Sequence, residues 1–249
     1  NYVVRKVRKQ VPPWSISGAM DFRDALSAGK RLSLDPVEVG QGDLAFLQYT
    51  GGTTGVAKGA MLSHGNIVAN VLQARAWIGP TFPPEPQTLI TPLPLYHIFG
   101  LTANCLLFFT LGWRNILITN PRDFPRFVAE LKKYRFTFIT GVNTLFNALL
   151  NTPGFDRVDF SALKVTLGGG MAVQAAVAQR WKQVTGKVLT QAWGLTETSP
   201  AGCINPVTAD FNGSIGLPIP STEVSIKDDD GRDLPLDGIG EICLRGPEV

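Results

Sequence analysis

The chain has 249 residues, 44% of them hydrophobic and 17% charged, with a formal net charge of +3. That length can bury one large core or two small ones; the apolar share excludes a disordered chain, and the small net charge argues against a nucleic-acid partner. The three widely spaced cysteines, Cys105, Cys203 and Cys243, exclude a disulfide scaffold and a structural zinc site and favour a reducing, cytoplasmic compartment.

Residues 1–43 read as an irregular lead-in, with Pro12, Pro13 and one helix near Asp21 to Ala28; Arg5, Lys6, Arg8 and Lys9 form a solvated basic face. At Leu44 the texture changes. The run LAFLQY (44–49) predicts a strand that leads through a Gly/Thr-rich loop into a helix over HGNIVANVLQARAWI (64–78). TLI follows, then an apolar helix, a strand at NILI (115–118) and a helix from Phe124 to Lys133. FTFIT (136–140), LKVTLG (163–168) and KVLTQ (187–191) read as strands that alternate with helices at TLFNALL (144–150) and AVQAAVAQRWKQV (172–184). Short apolar strands alternating with helices of 10–15 residues predict an α/β fold, a mixed β-sheet flanked by helices, over residues 44–213. In residues 214–249, TEVSIKD, a turn at Asp228–Gly231 and EICLR predict antiparallel strands that open a small, truncated β subdomain. The chain opens at Asn1 without Met or a signal pattern and stops just after a strand, so it is expected to be part of a longer protein.

Residues 88–113 carry no Lys, Arg, Asp or Glu, which raises a membrane span. Pro92 and Pro94 break the stretch, leaving about 14–16 helical residues where a bilayer needs about 20, so a buried core helix is predicted. Membrane-surface contact is the minor alternative.

The densest chemistry lies in YTGGTTGVAKGAMLSHGN, Tyr49 to Asn66. Gly51, Gly52 and Gly55 allow an anion close to the backbone, Thr50, Thr53 and Thr54 add hydroxyl donors, and Lys58 adds a point charge. The spacing fits neither GxxxxGK[ST] nor GxGxxG. His97, one of two histidines, follows two prolines and opens the apolar helix, so a satisfied core histidine is one reading of it. His64 reads as a helix-start residue.

YTGGTTGVAKG resembles the AMP-binding signature of the adenylate-forming superfamily. PLPLYHIFG (92–100), GGGM (168–171), QAWGLTET (191–198) and GEICLRGP (240–247) resemble further motifs of that family in the same order. The wording YHIFG, TGVNTLFNALL and SIGLPIPSTE is most similar to bacterial long-chain fatty-acid–CoA ligases. The resemblance implies part of that family's large N-terminal domain, with Thr50, Gly51, Gly52, Thr53, Thr54, Gly55 and Lys58 at the triphosphate. It implies Gly168, Gly169, Gly170, Gln191, Ala192, Trp193 and Gly194 around the adenine, Thr196 at the phosphate, and Mg²⁺ on Thr50 and Glu197. His97 would lie near the reacting carboxylate, with Tyr96, Phe99, Val142, Asn143 and Phe146 along the acyl path. Thr50, Thr196, Glu197 and His97 are thus the implied catalytic set. Most relatives have Tyr where this chain has Trp193; stacking survives that change, but a phenol role does not.

The implied reaction couples a fatty acid, ATP and coenzyme A through an acyl-adenylate. A related ligase for another carboxylic acid is the alternative, although the absence of Asp between Asp43 and Asp123 disfavours an amino-acid substrate. A third reading is a catalytically inactive nucleotide-binding piece, because the family's later TGD motif, hinge and lysine find no match here. The resemblance also leaves open a homodimer and a peripheral contact with the inner face of the membrane for substrate uptake.

Overall fold

A computed structural model describes residues 2–13, 15–50 and 58–249. The chain divides into two units, Asn1–Val39 and Gly40–Val249. The first holds a π-helical turn at Val3–Val7 and helix α1, Phe22–Gly29, whose first turn is closed by the Asp21 carboxylate accepting from Arg23 N at 2.9 Å. Gln41 and Asp43 are tied to the start of the first long helix of the second unit: Gly65 N donates to Gln41 O and His64 N to Asp43 O.

The second unit opens with strands β1, Leu44–Thr50, and β2, Lys58–Ser63, paired antiparallel. Lys58 is therefore strand, not part of a loop running straight into a helix, and Thr50 is its register partner. Helix α2, His64–Ile78, starts where Ser63 Oγ accepts from Asn66 N while Asn66 Oδ1 accepts from Ser63 N, a reciprocal cap.

Then come β3, Thr88–Thr91, a helical segment, and β4, Arg114–Leu117. The segment between them is π-helical over Phe99–Leu106 and closes with the short helix α3, Leu107–Thr110. Helix α4, Phe124–Leu131, leads to β5, Phe138–Gly141, and helix α5, Asn143–Leu150, to β6, Val165–Gly168. Helix α6, Ala175–Thr185, ends at Gly186 in the left-handed region and returns the chain to β7, Leu189–Gly194. Strands β8, Ala201–Ile204, and β9, Leu217–Pro218, extend the sheet, and β10, Glu223–Lys227, pairs with β11, Glu241–Arg245.

The main sheet runs β4-β3-β5-β6-β7-β8-β9; its first five strands are parallel, and β8 and then β9 are added by antiparallel pairings. The mixed α/β expectation holds, with one difference: the sheet continues past Gly213 through β9. Successive residues serve opposite faces, as the pleat requires. Leu89 and Phe138 join the cluster of α2 and the helix after β3, whereas Ile90 and Ile139 join the cluster of α4, α5 and α6. Among the described residues, no helix is long and apolar enough to cross a membrane.

Candidate active site

The loops that leave the carboxyl ends of the parallel strands form the site. After β3 the chain enters the helix on one face, and after β5 it enters α5 on the other, so a crevice opens between the two exits. The β3 exit carries His97. Its Nδ1 accepts from Phe99 N at 3.2 Å, so the neutral ring keeps its proton on Nε2.

The β6 exit supplies Gly169 and Gly170; a Cβ on Gly169 would stand 3.1 Å from the Phe99 ring. The β7 exit turns back at once through Leu195–Pro200. A Cβ on Gly194 would lie 1.7 Å from the Pro200 carbonyl oxygen, so only glycine permits that return. Thr198 Oγ1 fastens the turn by donating to Pro200 O at 2.6 Å and accepting from Leu195 N at 2.8 Å. Thr196 is left half-buried and the Glu197 carboxylate exposed, without a hydrogen-bond or ion-pair partner among the described residues. Strand β2 contacts the Thr196–Thr198 turn, which brings the first hairpin to the same edge.

Behind these loops lies a cavity of about 200 Å³. Ala74 and Ile78 of α2, Phe99, Ala103 and Leu107 beyond β3, and Phe138 and Leu167 of the sheet line its depth; His97, Gly169, Gly170, Trp193, Gly194 and Thr196 lie at the strand-end side. Most of the wall is apolar, interrupted by the buried polar side chains of Asn70 and Thr102, and His97 and Thr196 add polar groups at the strand-end side. Such a space accepts a hydrocarbon chain and keeps a charged end at the entrance.

Of the residues named from sequence, the cavity gathers His97, Phe99, Gly169, Gly170, Ala192, Trp193, Gly194 and Thr196. Others stand elsewhere. Phe146 is fully buried against Trp181, ring centroids 4.8 Å apart, and Asn143 Oδ1 accepts from Gln174 N ahead of α6, so neither lines the cavity. Val142 sits beside Gly170, and Tyr96 points to solvent. Gln191 bridges Val173 N and Ser214 O, holding the Gly169–Val173 loop, while Gly168 closes β6 under Val173. Thr50 Oγ1 donates to Lys58 O at 3.3 Å, and Lys58 is exposed. Gly51, Gly52, Thr53, Thr54 and Gly55 lie outside the described residues. His64 stands at the α2 start, as expected. Among the described residues, no cluster of three or more His, Cys, Asp or Glu side chains could hold a metal unaided.

Sequence reasoning missed the buried polar residues around the turn: Asn70, Gln73, Thr198, Ser199 and Glu248. A signal existed for two of them. Asn66, Asn70 and Gln73 recur at i, i+4 and i+7, a polar stripe on one face of a largely apolar helix.

A largely apolar cavity at the carboxyl ends of parallel strands is where an α/β protein of this architecture binds a small-molecule ligand. The chain belongs to the AMP-binding enzyme family, whose model matches residues 4–249. It is 54% identical over 250 residues to a long-chain-fatty-acid–CoA ligase of Escherichia coli O6:H1 and 53% identical to one of Haemophilus influenzae, covering all of this chain and 45% of each relative. The chain thus spans about half the length of the curated relatives it matches. Among solved structures, ATP-bound MatB from Rhodopseudomonas palustris is 29% identical with a TM-score of 0.76, covering 91% of this chain and 44% of that one. A long-chain-fatty-acid–CoA ligase from Archaeoglobus fulgidus is 28% identical with a TM-score of 0.67, covering 81% and 41%.

Proposed function

We propose that this chain forms the nucleotide- and acyl-binding core of an enzyme that joins a long-chain fatty acid to coenzyme A at the expense of ATP. The observation that carries the reading is the cavity, mostly apolar in depth and with polar groups at the strand ends. The fatty carboxylate attacks the α-phosphorus of ATP, forming the acyl-adenylate and releasing pyrophosphate. The coenzyme A thiol then attacks the acyl carbonyl, forming the thioester and releasing AMP and a proton.

In this reading the hydrocarbon lies along Ala103, Leu107 and Ile78, and the His97 Nε2–H donates to the carboxylate at the entrance. Thr196 donates to a phosphate oxygen, and Trp193, half-buried against Gly202, offers a flat face to the purine. Thr50 to Gly55 and Lys58 serve the triphosphate. Positioning and charge neutralisation carry the chemistry, so no covalent nucleophile is required. Glu197 and Thr50 fit a magnesium ion: an exposed carboxylate without a partner among the described residues and a hydroxyl in one long hydrogen bond suit a cation that takes few protein ligands and fills its shell with phosphate oxygens. When bound, the ion offsets the phosphate charge.

The test is pyrophosphate release by the full-length protein with a panel of fatty, aromatic and amino acids. Release is expected with acids of long alkyl chain. Equal release with aromatic or amino acids would replace the fatty acid with another carboxylic acid.

A further inference from the structure

The turn that carries Thr196 and Glu197 is held from outside by a chain of buried polar groups. Ser199, fully buried with φ of 65°, donates from Oγ to the Glu248 carbonyl oxygen at 2.8 Å. The Glu248 side chain is itself fully buried. Its Oε2 accepts from Gln73 Nε2 at 2.8 Å and its Oε1 from Thr222 Oγ1 at 2.5 Å. Gln73 Nε2 also donates to Pro220 O at 2.8 Å. One helical turn earlier, Asn70 grips Ala201 through both its carbonyl and its amide, at 3.2 and 2.8 Å. Asn66 Nδ2 donates to Pro247 O at 3.0 Å.

A carboxylate with no exposure and, among the described residues, no ion-pair partner is costly, and hydrogen bonds are what make it tolerable. The backbone is shaped to admit it. A Cβ on Gly246 would stand 2.3 Å from a Glu248 oxygen, so a side chain there would collide with the buried carboxylate. The polar stripe of α2 therefore grips both the segment after β11 and the start of β8; the Thr196–Ser199 turn is tied to the first through Ser199 and runs directly into the second.

We infer that Glu248, together with Gln73, is a positioning residue for the Thr196–Glu197 turn. It acts through the Ser199 hydroxyl and touches no substrate. This rests on the reading of that turn as the phosphate and metal site given above. The buried carboxylate fixes the chain at residue 248, the Glu248 carbonyl fixes Ser199, and Ser199 with Thr198 fixes the loop that presents Glu197.

The experiment compares Glu248→Ala, Ser199→Ala and Glu197→Gln in the full-length protein. Peptide-resolved hydrogen exchange without ligand is read over residues 195–201, and the Mg²⁺-dependence of ATP affinity is read by calorimetry. Glu248→Ala is expected to raise exchange of the turn about tenfold, Ser199→Ala about threefold, while β5 remains unchanged. In both, ATP affinity at a fixed Mg²⁺ concentration falls and is recovered at higher Mg²⁺. A purely structural role would lower the melting temperature and leave the Mg²⁺-dependence where it was. Should Glu248→Ala fail to fold, Ser199→Ala decides alone, since it removes one hydroxyl and no buried charge. If Glu197→Gln shifts the Mg²⁺-dependence and neither other variant does, the positioning role is overturned and the site reading stands. If Glu197→Gln itself leaves that dependence unmoved, the site reading fails and this inference falls with it.

Discussion

At the residue scale, the same aromatic can be core or pocket wall, and a separation of a few ångströms decides which. Phe99 and Phe146 were both named from sequence for the acyl path. Phe99 borders the cavity, whereas Phe146 stacks edge-on to Trp181, whose indole donates to Thr166 Oγ1 at 3.1 Å on the opposite face of the sheet. Phe146→Ala in the full-length protein is therefore expected to cost about 3–5 kcal/mol of stability by opening a cavity in that core. The KM for the acid should stay within about twofold at temperatures where the variant is folded. Denaturant unfolding and steady-state kinetics measure the two effects separately. A large rise in KM with little loss of stability would return Phe146 to the acyl path. Cys203 shows how environment overrides residue type: burial, aided by the negative charge of Glu248, pushes its thiol pKa up, so it is an inert buried residue of β8 and not a nucleophile.

At the element scale, long segments free of breakers were legible and closely spaced turns were not. α2 was expected at 64–78 and is found there, because a long proline-free apolar run follows the Ser63–Asn66 cap. The strands β3, β5, β6 and β7 were legible as short apolar runs between helices. The hairpin β1–β2 was not, because the glycines and threonines that suggest a loop conceal the strand restarting at Lys58. Strand β8 escaped because Gly202 interrupts its short apolar run between Pro200 and Pro206, which reads as loop, and β9 because it is only two residues long. The site was legible where a motif's residues enter the cavity, as with His97 and Thr196. It was illegible where long-range hydrogen bonds assign the role, as with Gln191, Asn143 and Glu248.

The β10–β11 hairpin carries its own prediction. Lys227 Nζ meets Asp233 Oδ1 at 2.7 Å; that hydrogen bond lowers the Asp233 pKa and raises that of Lys227. The lowered aspartate contributes stability that is fully present above its usual value near 3.8 and lost as pH falls through its folded value. The raised lysine contributes stability that is present below its usual value near 10.5 and lost as pH rises through its folded value. Amide chemical shifts of Lys227 and Asp233 should therefore stay constant between these limits and move together outside them. The effect should weaken in high salt because both groups are exposed. Shifts that move independently would show that the pair is not formed in solution.

At the scale of the whole molecule, the parallel core and the Thr196–Ser199 turn are secured by contacts of different reach. The sheet from β3 to β7 joins segments that follow one another along the chain, each strand returning through one helix or a short crossover. The turn is secured by α2 against residues far downstream: Asn70 meets Ala201 across 131 positions, Asn66 meets Val249 across 183, and Gln73 meets Glu248 across 175. Closing loops that long is slow compared with local helix formation. During synthesis, the cavity walls on α2 and the early strands emerge well before the residues that hold Thr196 and Glu197 in place. Within residues 40–249 the cavity walls can thus form before the contacts that secure the Thr196–Ser199 turn. Pulse-labelled refolding should show amides of β5 protected first and those of residues 195–201 only with the segment after β11; simultaneous protection would mean the turn holds itself.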